Sequence, residues 1–262
     1  TPAAVPPADI PAETPAPEEL SAAAPAPAPV APLESLPSPE ETPAPAAVDF
    51  TGLLTFTRTW EQQFPAAEPP RIDVSHKHGP LLVRVWDQPL VRATATMTVG
   101  ALDQAVAQQF ADAIIVQAEQ EGPRLLFVST YPSGDGTPAI GAYTMELSLD
   151  VPRASSLSVR NEFGDTNVVG INGQLTLNSV FGAVELRNIG GVARVFAKGE
   201  FPFVARGLLQ GGTFVLRGSA AVFSEYSDAL VVRSTSGAVE VRNPGAASEL
   251  DVTADFCPVH VY

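Results

Sequence analysis

The chain has 262 residues, 15 of them basic and 29 acidic, for a formal net charge of −14, and it carries one cysteine. That balance argues against nucleic acid and anionic lipid surfaces as partners, since both would be repelled. One cysteine excludes an internal disulfide, and no apolar run approaches the ~20 residues that a membrane-spanning helix needs, so direct membrane insertion is not expected.

Residues 1–49 form the first compositional unit. Residues 1–47 hold fourteen of the 26 prolines and fourteen alanines, and no Lys or Arg precedes Arg58. Such a stretch cannot bury enough apolar surface to offset its ordering entropy, so it is expected to be a disordered or extended arm of polyproline II character. At ~3.1 Å per residue it could reach on the order of 140 Å. The chain begins at Thr1 without a methionine, which is the pattern expected downstream of a signal peptide or a membrane anchor. An extracytoplasmic location, secreted or on the cell surface and tethered through a segment upstream of Thr1, is the corresponding expectation.

Residues 50–151 read as a β-rich region. Phe50–Phe64 is strand-like but uneven, and Arg71–Val74 and Leu81–Trp86 are short strands separated by a turn at Ser75-His-Lys-His-Gly-Pro80. Val91–Val99 alternates cleanly, as a half-buried strand does. Leu102, Val106, Phe110, Ala113 and Ile114 then fall at helical spacing behind a capping Asp103, which predicts one short amphipathic helix near 102–115. It is expected to cover an exposed edge or end of a sheet. Strands resume over Ile114–Ala118, Leu125–Thr130 and Tyr143–Val151.

Residues 152–262 repeat. Gly182-Ala-Val-Glu-Leu-Arg-Asn-Ile-Gly190 returns 55 residues later as Gly237-Ala-Val-Glu-Val-Arg-Asn-Pro-Gly245, identical at seven of nine positions. Turn dipeptides at Phe163, Phe181, Phe201, Ser219, Ser236 and Cys257 follow one another at 18, 20, 18, 17 and 21 residues. A period of ~18–20 residues is too short for a helix pair or a propeller blade and suits one coil of a parallel β-helix. Runs such as Leu175-Thr-Leu-Asn178 and Val239-Glu-Val-Arg242 place aliphatics at i and i+2, inward, with polar residues between them. The expected fold is all-β: a right-handed parallel β-solenoid with one helix and an N-terminal arm.

Here the chain resembles a known family. The segments Asp73-Val-Ser-His-Lys-His-Gly79, Val83-Arg-Val-Trp-Asp87, Leu147-Ser-Leu-Asp-Val-Pro152 and Val159-Arg-Asn-Glu-Phe-Gly-Asp165, followed by Gly-centred coils, look like the DUF4097 adhesin-type family. The coils are also similar to the DUF2807 head-domain solenoids. The resemblance runs from about Phe56 to Tyr262. It implies a bacterial, extracytoplasmic or membrane-tethered solenoid without catalytic apparatus or cofactor, and it supplies no functional residues to carry over.

The residues themselves offer few sites. Glu185 and Glu240 hold the same repeat position, yet three coils separate them by about 14 Å, beyond the ~5–9.5 Å of glycosidic acid/base pairs; a carbohydrate-active enzyme is therefore a remote alternative. His76 and His78, two apart on an extended segment, are candidate zinc ligands with Asp73 or Asp87, against the plainer reading of solvated turn histidines. Glu185, Arg187, Arg206, Glu240 and Arg242 form an outward ladder that could meet a glycan or an envelope protein, or simply face water. Cys257 is expected to be a small buried residue of the last strand. Because the pattern ends strand-like and without a polar cap, self-association into an end-to-end filament is expected, with contacts at Phe256, Val259, Val261 and Tyr262 and the arm touching neighbours. The combined expectation is a non-enzymatic structural or adhesive cell-surface module. Its alternative is a membrane-tethered envelope module that binds a protein or glycan.

Overall fold

The computed structural model describes residues 48–262 apart from 67, 135, 136, 138, 244, 246 and 247. The expectations for the arm therefore fall, except at Val48 and Asp49, outside the described residues. Strands β1 (Leu54–Pro65), β2 (Arg71–His78), β3 (Leu81–Trp86) and β4 (Leu90–Ala101) precede helix α1 (Gln104–Ala113). Next come β5 (Ile115–Glu121), β6 (Arg124–Thr130) and β7 (Ala142–Pro152).

The repeating region contributes strands in pairs, one pair per coil: β8 (Ser156–Phe163) with β9 (Thr166–Val169), and β10 (Leu175–Val180) with β11 (Val184–Ile189). They continue as β12 (Ala193–Lys198) with β13 (Phe203–Leu208), and β14 (Gly212–Arg217) with β15 (Ala221–Tyr226). The last coils are β16 (Leu230–Thr235) with β17 (Val239–Arg242), and β18 (Leu250–Asp255) with β19 (Val259–Val261). First strands of each pair join a nine-stranded sheet and second strands a ten-stranded one, and within the repeat all neighbours run parallel. The fold is all-β with a single helix among the described residues.

Register makes the period visible. Leu157, Leu175, Ala193, Gly212, Leu230 and Leu250 share one row of the nine-stranded sheet, at successive steps of 18, 18, 19, 18 and 20 residues. Thr166, Val184, Phe203, Ala221, Val239 and Val259 share a row of the other, at steps of 18, 19, 18, 18 and 20. The strands are thus more regular than the turn dipeptides, because the corners absorb the extra residues. Alternate residues of the coils from β8/β9 to β16/β17 point inward and bury: Phe203, Phe214 and Phe223 meet at ring separations of 4.9–5.8 Å in the middle of this core. At one corner successive coils touch backbone to backbone. A Cβ on Gly182 would stand 2.0 Å from the Gly164 carbonyl oxygen, so no other residue fits there.

The N-terminal end departs from a simple coil succession. The β2/β3 coil lies between the β6/β7 coil and the β8/β9 coil, so the later pair is laid outside the earlier one. Beyond it β4 runs antiparallel to β7, β1 antiparallel to β4, and β5 folds back on β6. Helix α1 seats Ala107, Phe110 and Ala111 against β1 and β4, closing this end of the core. Asp103 caps its start, accepting from the Ala105 amide at 2.7 Å, and Arg58 satisfies its end by donating to the Ala111, Asp112 and Ile114 carbonyls. The predicted limits of 102–115 shrink by two residues at each end, to Gln104–Ala113, since Leu102 and Asp103 precede the first turn and Ile114 is already extended.

Candidate binding faces

On the ten-stranded sheet the ladder residues lie on the outer face. Arg187 stands beside Arg206, Arg206 beside Ser224 and Ser224 beside Arg242, in one row of neighbouring strands. The next row over runs Glu185, Val204, Val222, Glu240 and His260, which leaves two valines between the acids. Three rungs of ~4.8 Å keep those carboxylates about 14 Å apart. Each is engaged: Glu185 accepts from Arg187 Nε at 2.7 Å and from Asn167 at 3.1 Å, and Glu240, buried, pairs with Arg242. Arg206 has no carboxylate within 4.0 Å among the described residues.

Further along the same face Asp150 is gripped by two guanidiniums, Arg84 Nε at 2.7 Å and Arg92 Nε at 2.8 Å, while Arg92 also stacks over Trp86 at 4.8 Å. Burial pushes the Asp150 carboxyl up, but the two arginines outweigh it and hold the group below the usual carboxylate range. Asp150 was not singled out from sequence. Its partners are 66 and 58 residues away, and no local pattern announces such a pairing.

The histidine pair requires a correction. His76 and His78 belong to strand β2, continuing the inward series Ile72, Val74, and are not a solvated turn. His76 is buried, with Nε2 3.0 Å from the Met145 carbonyl and Nδ1 3.3 Å from the Ser129 hydroxyl. Burial pushes its pKa down to about 4. His78 is enclosed by aromatic rings, stacked on Phe163 at 5.2 Å and edge-on to Tyr131 at 4.9 Å. Asp73 lies on the opposite face, held by Arg124 at 2.7 Å. Among the described residues no group of three His, Cys, Asp or Glu side chains is placed to hold a metal.

The end-contact residues sit at the rim. β18 and β19 are the edge strands of their sheets, and Phe256, Val261 and Tyr262 are 96, 54 and 60% exposed, with Val259 partly so. Cys257 lies half-buried in the turn between these strands, not buried within the last one, because the chain bends at Phe256, whose φ is 59°. No helix among the described residues is long and apolar enough to cross a membrane.

No protein-family model matches the chain, and no curated protein matches it. The DUF4097 likeness read from the motifs therefore stands without a matching family model. Some solved structures resemble the chain over most of its length at low identity. A Bacteroides fragilis protein provisionally named an adhesin is 10% identical over 78% of this chain and 97% of its own, with a TM-score of 0.45. A provisionally named cell adhesion protein from Clostridium sporogenes is 10% identical over 79% of this chain and 99% of its own, with a TM-score of 0.39. One from Parabacteroides distasonis, provisionally named a lipid binding protein, is 8% identical over 78% and 96%, with a TM-score of 0.31.

Proposed function

We propose that this chain is a non-enzymatic, extracytoplasmic β-solenoid of the DUF4097 adhesin type, serving as a structural or adhesive module of the bacterial cell surface and associating end to end. The observation that supports the reading is the rim: among the described residues β18 and β19 each have a neighbour on one side only, and Phe256, Val259, Val261 and Tyr262 there are apolar and exposed. Edge strands of that kind are templates for pairing with another copy. A right-handed winding is part of the proposal, supported by the strong preference of parallel crossovers for that hand. Its non-enzymatic character is supported by the ladder acids, which are held in ion pairs about 14 Å apart. The proline-rich arm, rich in acids and without bases, suits a spacer that leads away from a membrane or reaches a neighbour.

The test is the mass of the purified full chain in solution over a wide concentration range, by analytical ultracentrifugation. Association should grow with concentration and vanish on Val261→Asp, which puts a charge into the rim. A chain that stays monomeric at every concentration sinks the assembly reading. A second reading, a tethered envelope module that binds a partner through the solenoid side, is favoured by Arg206, which stands in the ladder without an ionic partner among the described residues.

A further inference from the structure

The charges of this acidic protein are sorted by face. The outer face of the ten-stranded sheet carries slightly more acid than base: Arg84, Arg92, Arg187, Arg206 and Arg242 stand among Glu61, Glu146, Asp150, Glu185, Glu225 and Glu240. The nine-stranded sheet is different. Arg71 and Lys77 on β2, Arg124 on β6 and Arg160 on β8 point outward at one end. Arg194 and Lys198 on β12, Arg217 on β14 and Arg233 on β16 continue the series. These are eight of the 15 basic residues in the chain. Across the seven strands from β6 to β16 the outward acids among the described residues are Asp73 and Glu162, each already paired with one of these arginines. Acids return only on the flanking strands β5 and β18, with Glu119, Glu121, Asp251 and Asp255.

Six strand spacings of ~4.8 Å make this basic strip about 29 Å long. Arg71 stands beside Arg124 and Lys198 beside Arg217 in register, with Arg233 one strand and two residues from Arg217, so within each group the cations lie inside a Debye length of ~8–10 Å and act on a polyanion together. Between them the exposed positions are hydroxyls and amides: Ser158, Thr176, Asn178 and Thr213. At the β6/β2/β8/β10 end the strip contains a cleft of about 370 Å³ lined by Arg71, by Arg124 with the Asp73 it holds, and by Ser158, Gln174 and Thr176 among others. Arg71 and Arg124 stand side by side in register, and Arg71 has no carboxylate partner among the described residues.

We propose that the outer face of the nine-stranded sheet binds an anionic polysaccharide of the uronic-acid class, with one sugar carboxylate seated in the cleft between Arg71 and Arg124. Guanidinium forks match a carboxylate, and the surrounding hydroxyls and amides match the ring hydroxyls of the same sugar. A single-stranded nucleic acid would need aromatic platforms for its bases. The strip presents Phe196, whose ring is already covered by Arg217 at 5.5 Å. The inference takes its setting from the cell-surface reading above but is measured separately: association through the rim is read by mass, polysaccharide binding by retention, so either can fail alone.

The experiment is affinity electrophoresis of the purified full chain through gels containing polygalacturonate, dextran, an oligothymidylate or phosphatidylglycerol vesicles, at low and high salt. Retention by polygalacturonate and not dextran is expected, fading as salt rises. Arg71→Gln should weaken it roughly tenfold, and Arg194→Gln/Arg217→Gln/Arg233→Gln by at least as much, the size of one lost charge-assisted contact or more. Arg84→Gln on the other sheet, a side chain already held by Asp150, should leave it unchanged. All these side chains are exposed or partly exposed, so circular dichroism should report intact folds. The proposal is overturned by absence of retention at low salt, by equal loss in the variant on the other sheet, or by tighter retention on the oligothymidylate or the vesicles.

Discussion

Protonating His76 inside the folded protein should be costly, and the cost can be read from the pH dependence of stability. Burial lowers its pKa from 6.5 to about 4, more than offsetting the hydrogen bonds to the Met145 and Gly79 backbones, and nearby His78 adds a smaller push in the same direction. In the unfolded chain the imidazole takes up its proton near pH 6.5; in the fold it does so only near pH 4. Between those values the unfolded state binds more protons, so stability rises with pH. The contribution is fully present above pH 6.5 and is lost as pH falls towards 4. A pKa moved from 6.5 to about 4 corresponds to about 3 kcal/mol, most of it lost by pH ~4.5. The carboxylate of Asp150 does not confuse this window, because the arginines hold its pKa below 3.8 and its own loss of stability begins only at lower pH.

The comparison to make is His76→Gln against wild type, by urea unfolding at several pH values between about 7.5 and 4.5. Glutamine does not titrate and keeps an N–H that can donate to the Met145 carbonyl. Its constant offset in stability is irrelevant; the difference between the two curves carries the information. Wild type should lose about 2–3 kcal/mol more than the variant across the range. Curves that stay parallel within ~0.5 kcal/mol would refute the placement of a neutral, buried His76.

Two further perturbations test the frame. Gly182→Ala should destabilise by about 3 kcal/mol or more, since its Cβ would meet the Gly164 carbonyl oxygen at 2.0 Å, whereas Gly122→Ala, with nothing within 4 Å, should cost about 1 kcal/mol for its positive φ alone; thermal melts compare the two. Asp150→Asn should cost about 1–2 kcal/mol at neutral pH, because Arg84 and Arg92 lose a shared carboxylate but remain exposed enough to hydrate, and salt should shrink the difference in unfolding midpoints.

The coils were legible because a parallel stack writes its period into the chain. Leu175-Thr-Leu-Asn178 and Val184-Glu-Leu-Arg187 already display the alternation that buries Leu175, Leu177, Val184 and Leu186. The turn expected at Ser75–Pro80 lies four residues too early, because Gly79-Pro80 follows the histidines closely and dominates the local turn signal. The signal against that reading was present, since His76 and His78 continue the i, i+2 series begun by Ile72 and Val74. The position of β6/β7 outside β2/β3 had no such signal. Parallel pairing is a long-range choice, and nothing local in Leu125-Leu-Phe-Val128 says which strand it will meet.

Charge is where the whole-chain count misled most. A net charge of −14 suggests a uniformly acidic surface, but a two-sheet coil sends its first strand to one face and its second to the other, so charges 10 residues apart can belong to opposite sides of the molecule. The repeated nonapeptide forms a second strand each time, and in both copies Glu and Arg neutralise each other two residues apart. The first strands between the copies do not repeat so closely, and it is they that carry Arg194, Lys198, Arg217 and Arg233 without carboxylate partners among the described residues. Sequence identity within the chain thus marks the two strands whose charges are already satisfied. The cations left to meet another molecule lie where the repeats differ.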